Sequence, residues 1–134
     1  MGKTTKILLV DDDNDLVEST VLLLESHNYQ VMSAGDGKSG FQKAREIKPD
    51  LMILDVMMTT KTEGFDVARK IAADPDLRDM PVILLTGIRR EMELPYGFEP
   101  DEDWLPVYTV LEKPLEPDKL ISKIEELLQQ KREQ

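Results

Sequence analysis

Apolar residues along this chain fall into two kinds of segment that alternate. Compact runs rich in Ile, Leu and Val occupy residues 7–10, 51–54, 82–85 and 107–111, each bounded by charged or turn residues. Continuous apolar runs of this length suit strands buried on both faces. A fifth run, 29–34, is weaker because Gln30 and Ser33 interrupt it. Between the runs the apolar positions recur with helical period. They are Leu16, Val21, Leu22 and Leu24, then Phe41, Ala44 and Ile47, then Phe65, Val67, Ala68 and Ile71, and finally Leu120, Ile121, Ile124, Leu127 and Leu128.

Strands that alternate with helices require right-handed crossovers and a parallel sheet covered on both faces. Five such units in this length predict an α/β, flavodoxin-like doubly wound five-stranded parallel sheet of order 2-1-3-4-5. The last helix is expected to start at Glu116-Pro117-Asp118, where Pro suits the first helical position and Asp the dipole. Between strands four and five, Pro95, Gly97, Pro100 and Pro106 break the helical pattern, so the helix there is expected to be short or irregular. The polar tail 130–134 is expected to fray.

Composition narrows the function classes. The 134 residues suit a single domain, 1–134, with a core over about 6–128. With no cysteine, disulfides, thiolate metal sites and cysteine nucleophiles are excluded. A net charge of −10 offers no surface to neutralise nucleic-acid phosphates, so no nucleic acid is expected as a partner. The chain shows no basic-then-apolar leader, and no apolar run nears the roughly 20 residues that span a bilayer. A cytoplasmic protein without membrane contact is the expectation, as a monomer or weak dimer.

In an open parallel sheet, ligands bind beyond the carboxyl ends of the strands, where the strand order reverses. Strand one runs into Asp11-Asp12-Asp13, strand three into Asp55, strand four into Thr86 and strand five into Lys113-Pro114. The predicted order makes strands one and three neighbours at the switch point, so Asp11, Asp12 and Asp55 should converge. Carboxylates packed together repel unless a cation offsets them. An oxygen-only ligand set selects Mg²⁺, Mn²⁺ or Ca²⁺, and a few carboxylates with waters and a phosphate is the usual arrangement for Mg²⁺. Within such a site a carboxylate can attack a phosphoryl group to give an acyl phosphate. The metal and an ammonium would stabilise charge in transfer, and a hydroxyl would hold the product oxygen. Each residue alone has a plain structural account as cap, turn or surface group, but their joint occurrence at four strand ends does not.

Two signals compete. Gly35-Asp36-Gly37-Lys38-Ser39-Gly40 matches G-x-G-x-x-G, with Asp55 twenty residues past Gly35. A dinucleotide fingerprint opens the first strand-helix turn, whereas this one follows the second strand, so it reads as a glycine-rich turn with Asp36 or Ser39 at the helix start. His27, the only histidine, falls at the end of the first helix, where an imidazole suits the dipole.

The segments Ile7-Leu8-Leu9-Val10-Asp11-Asp12-Asp13, Lys48-Pro49-Asp50-Leu51-Met52-Ile53-Leu54-Asp55, Ile83-Leu84-Leu85-Thr86-Gly87 and Glu112-Lys113-Pro114-Leu115 resemble the receiver domain of bacterial response regulators, over residues 6–128. The resemblance implies Asp55 as phospho-acceptor and Asp11 and Asp12 as Mg²⁺ ligands together with the backbone carbonyl of Met57. It further implies Thr86 as the switch hydroxyl and Lys113 as the phosphate-contacting lysine. The implied donor is a phosphohistidine on a sensor histidine kinase or histidine phosphotransfer protein, and the implied activity is that of a switch, not of a turnover enzyme. A stand-alone regulator acting on a downstream protein by contact is the expectation.

The sequence departs from the family pattern in three places. Thr59 replaces the usual Pro and Gly64 lies nine residues past Asp55, which predicts a loop one residue longer that contains Lys61 and Glu63. The stretch from Thr86 to Lys113 is long and proline-broken, and its acidic run from Glu99 to Asp103 with Trp104 suggests a partner-specific lid. Val110 stands where the family carries its switch aromatic, while Tyr108 shares the strand parity of that position, so any relay is expected to be weak or to pass through Tyr108. Two other readings remain: a phosphorylation-independent adaptor that docks through 87–106, and a phosphatase-like enzyme with Asp55 as nucleophile. The latter wants a second Asp two residues on, where Met57 stands.

Overall fold

The computed structural model describes residues 4–55, 63–86, 108–112 and 116–133. The elements run β1 (Lys6–Val10), α1 (Asn14–Ser26), β2 (Gln30–Ala34), α2 (Gly37–Ile47), β3 (Leu51–Asp55), α3 (Glu63–Ala73), β4 (Val82–Thr86), β5 (Tyr108–Glu112) and α4 (Pro117–Glu133). All strand pairs are parallel, and the strand order is β2-β1-β3-β4-β5. This is the doubly wound α/β arrangement that the alternation of apolar runs predicts.

Strand alternation splits the core in two. Leu8, Val10, Met52, Leu54, Val82 and Leu84 point to one face, which Ala44 of α2 and Val67, Ala68 and Ile71 of α3 cover. Ile7, Leu9, Leu51, Ile53, Ile83 and Leu85 point to the other, against Leu24 of α1 and Leu120, Ile124, Leu127 and Leu128 of α4. β3 is buried along its whole length, whereas β2 is exposed or half-buried except at Ala34. The weak run matches that exposure: Gln30 is exposed, Val31, Met32 and Ser33 are half-buried, and only Ala34 is buried.

Four expectations change. Leu22 is 63% exposed, because the buried stripe of α1 follows Val17, Thr20, Val21 and Leu24, and Leu22 lies off it. Glu63 belongs to α3 and not to the preceding loop. The tail does not fray at residue 130: α4 continues to Glu133, through Gln, Lys, Arg and Glu, all good helix formers. Among the strands, β5, described from Tyr108, takes in Glu112 beyond the apolar run. The interrupted segment 87–106, with its acidic run and Trp104, lies outside the described residues, as do Thr59 and Lys61.

The glycine-rich turn is explained by capping and packing. Asp36 caps α2, accepting hydrogen bonds from the Ser39 amide at 2.7 Å and the Ser39 hydroxyl at 2.9 Å. A Cβ at Gly40 would fall 2.8 Å from a Val10 methyl, so only glycine lets α2 approach β1 this closely. Asp13 caps α1 in the same manner through Asp15 and Leu16.

Two outcomes are expected. Gly40→Ala overpacks the α2–β1 contact and lowers stability by about 1–3 kcal/mol in urea titration, and an unchanged midpoint would contradict the close approach. Asp36 is held below the ordinary carboxylate range of 3.8, first by the Ser39 amide and then by its hydroxyl. Its folded value lies below its unfolded one, so its contribution is complete above the unfolded value and is lost as pH falls through the folded value. The stability gap between wild type and Asp36→Ala should therefore be constant near neutrality and narrow below about pH 4. A gap independent of pH would refute that assignment.

Candidate functional site at the carboxyl ends of β1 and β3

The register of β1 on β3 builds the site. Ile7 pairs with Leu51, Leu8 with Met52, Leu9 with Ile53 and Val10 with Leu54, so one further step brings Asp11 alongside Asp55. Both residues continue the parity of Ile7, Leu9, Leu51 and Ile53. Asp11 is 1% and Asp55 2% exposed, while Asp12 is exposed. One carboxylate oxygen from each of Asp11, Asp12 and Asp55 lies within 4.8 Å of the others. The convergence expected from strand order is therefore present in the geometry.

The local chain holds this arrangement. The Asp11 amide donates to the Ala34 carbonyl at 3.1 Å, which extends the β1–β2 pairing past the end of the strand. The Asp13 amide donates to Asp11 Oδ1 at 2.9 Å. Two buried carboxylates and one exposed one make a cluster suited to a small cation that keeps part of its water shell. The donor set is all oxygen, with no imidazole or thiolate among the three groups, so Mg²⁺ fits its chemistry.

Thr86 ends β4, with its backbone in register with Glu112 of β5; Lys113 follows that strand but lies outside the described residues. Met57, expected to lend a backbone carbonyl, also lies outside them. Tyr108 and Val110 pair with Val82 and Leu84, so both stand at positions of the same parity in β5. His27 is the C-cap of α1, its backbone amide donating to Leu24 and Glu25 carbonyls, and it takes no part in the acid site. The capping function of Asp13 within the run of three acids was not resolved by the sequence reading. The signal available for it was its position immediately before Asn14-Asp15-Leu16, where an Asx cap is favoured.

A doubly wound parallel sheet with clustered carboxylates at its switch point defines a class of α/β proteins whose ligand site lies beyond the carboxyl ends of the strands. The family model for the response regulator receiver domain matches residues 7–125, and the chain belongs to that family, the receiver of two-component systems. It is 31% identical over 123 residues to the DNA-binding dual master transcriptional regulator RpaA of Synechocystis sp., covering 92% of this chain and 48% of that protein. The chain thus spans about half the length of the curated relatives it matches. Among solved structures, it resembles a CheY-like response regulator receiver domain protein of Methanospirillum hungatei, with a TM-score of 0.78, 25% identity and 98% of each chain covered. The signal receiver domain of a signal transduction histidine kinase from Syntrophus aciditrophicus is similar at a TM-score of 0.75 and 28% identity, over 94% of this chain and 91% of that one. Among the described residues, no helix is long and apolar enough to cross a membrane.

Ligation by this cluster has a thermodynamic signature. At about a hundred times its Kd, Mg²⁺ should stabilise the fold by about 2.7 kcal/mol in urea titration. Asp12→Asn should remove at least about 1.4 kcal/mol of that gain, a tenfold loss of affinity. In EDTA the variant should be no less stable than wild type, since one of three like charges is gone. Equal Mg²⁺ stabilisation of variant and wild type would exclude Asp12 from the site.

Proposed function

We propose that this chain is a phospho-acceptor switch in which Asp55 receives a phosphoryl group from a phosphohistidine on a sensor histidine kinase or histidine phosphotransfer protein. The observation that supports this most is the meeting of Asp55 with Asp11 and Asp12 within 4.8 Å at the end of β3. A carboxylate oxygen of Asp55 attacks phosphorus, the donor's N–P bond breaks, and the imidazole leaves and takes up a proton. When bound, Mg²⁺ offsets the carboxylate charge and draws electron density from the phosphoryl oxygens. Asp11, Asp12 and Asp55 would hold it, with the Met57 carbonyl as a further protein ligand by family resemblance. Burial of Asp11 and Asp55 strengthens the electrostatics of these groups relative to water.

Thr86 and Lys113 are assigned by the same resemblance: the hydroxyl accompanies the phosphoryl group in the switched state, and the ammonium contacts its oxygen. The end of β4 supports the first assignment, because Asp55 pairs with Leu85 and Thr86 follows one residue on. The chain acts as an acceptor and not as a turnover enzyme, since Met57 supplies no acid or base where phosphatases on related folds carry a second Asp. Phosphorylation adds up to about two negative charges and shifts a pre-existing equilibrium. The output passes through protein contact, a reading favoured by the net charge of −10 on these residues.

The test is incubation with a small acyl phosphate donor and Mg²⁺, followed by intact mass measurement. Wild type should gain one phosphoryl group that hydroxylamine removes, and Asp55→Asn and EDTA-treated wild type should gain none. Labelling of Asp55→Asn to the wild-type extent, or no labelling of wild type, would refute the assignment.

A further inference from the structure

Three consecutive acids follow β1, and the structure gives the third a different task from the first two. Asp13 Oδ1 accepts hydrogen bonds from the amides of Asp15 at 3.1 Å and Leu16 at 3.2 Å, and the Asp13 carbonyl accepts from the Val17 amide at 2.9 Å. Its backbone, at φ −90° and ψ 102°, is the extended cap that precedes the first turn of α1. The same residue donates its own amide to Asp11 Oδ1 at 2.9 Å. Asp13 is thus tied forward to the helix by its side chain and backward to the buried carboxylate by its main chain. The carboxylate oxygens that gather within 4.8 Å belong to Asp11, Asp12 and Asp55 and not to Asp13.

We infer that Asp13 is a positioning residue of the Asp11/Asp12/Asp55 site: by capping α1 it fixes the turn that presents Asp11 and Asp12, and so raises Mg²⁺ affinity without ligating the ion. The inference rests on the divalent-site reading above. Its physical basis is that a carboxylate whose orientation is already set by a backbone donor loses less freedom on binding a cation. The Asp13 amide can hold Asp11 only where the cap holds the Asp13 backbone. Removing the cap loosens the whole turn, including the exposed Asp12, which the buried sheet does not otherwise restrain.

Charge and capping make different demands on position 13, and three variants separate them. Asp13→Ala removes both. Asp13→Asn and Asp13→Ser remove the charge and keep a capping oxygen. Mg²⁺ affinity is measured by isothermal titration calorimetry, with hydrogen exchange at the Asp15 and Leu16 amides as the report on the cap and thermal melting as the check on folding. Asp13→Ala should weaken Mg²⁺ binding about tenfold and speed exchange at both amides, while Asn and Ser stay within about threefold of wild type. Equal weakening in all three variants would assign the effect to charge and overturn the proposal. Faster exchange in Asp13→Ala with unchanged Mg²⁺ affinity would overturn it too, by reducing Asp13 to an ordinary cap. Wild type without saturable Mg²⁺ binding would refute the divalent site itself, and this inference with it.

Discussion

The register between β1 and β3 is the constraint on which the rest of the site depends. Because Val10 stands opposite Leu54, the next residues on both strands are acids, and both are buried. A slip of one residue would turn one carboxylate to the opposite face of the sheet and move that strand's apolar side chains into the other core layer, against helices they do not match. Apolar packing on both faces therefore fixes the geometry of the acid site. Ile7, Leu9, Leu51 and Ile53 lock against α1 and α4, and Leu8, Val10, Met52 and Leu54 lock against α2 and α3. The fold holds three carboxylates together, and a bound cation would offset their charge.

The helices adjust around that sheet through contacts of a few atoms each. Gly40 lets α2 lie on Val10, immediately before Asp11, so helix packing on one face bears on the end of β1 that carries the acids. On the other face Leu24 and Val21 of α1 pack into the second core, which sets the height at which the first turn of α1 leaves Asp13. The Arg45 guanidinium, 3.6 Å from the Asp74 carboxylate, joins α2 to the turn after α3 at the surface, a pair worth little in water but consistent with α2 and α3 packing side by side.

The strands and their class were legible because buried parallel strands leave uninterrupted apolar runs, and the strand ends named Asp11, Asp12 and Asp55 before any geometry was known. β2 is the weaker run for a physical reason: only Ala34 of its five residues is buried, so little of the strand demands an apolar side chain. Leu22 is apolar and yet exposed, because the buried stripe of α1 runs through Val17, Val21 and Leu24 at 3.6-residue periodicity and Leu22 lies off it. The separate job of Asp13 was hidden for another reason. Three identical side chains in a row carry no mark of their own, and only the place of Asp13 immediately before Asn14-Asp15-Leu16 points to the cap. The glycine-rich run following β2 was ambiguous as a motif, and its meaning came only from what a side chain at Gly40 would strike.

The central claim is that Asp11, Asp12 and Asp55 act together as one divalent-cation site around the acceptor carboxylate. Anomalous diffraction from crystals of this protein grown with Mn²⁺ in place of Mg²⁺ tests it most directly. The account predicts a single strong anomalous peak in ligand contact with oxygens of Asp55 and of at least one of Asp11 and Asp12, and with no oxygen of Asp13. A peak elsewhere on the molecule, or one ligated by Asp13 in place of Asp55, would contradict it.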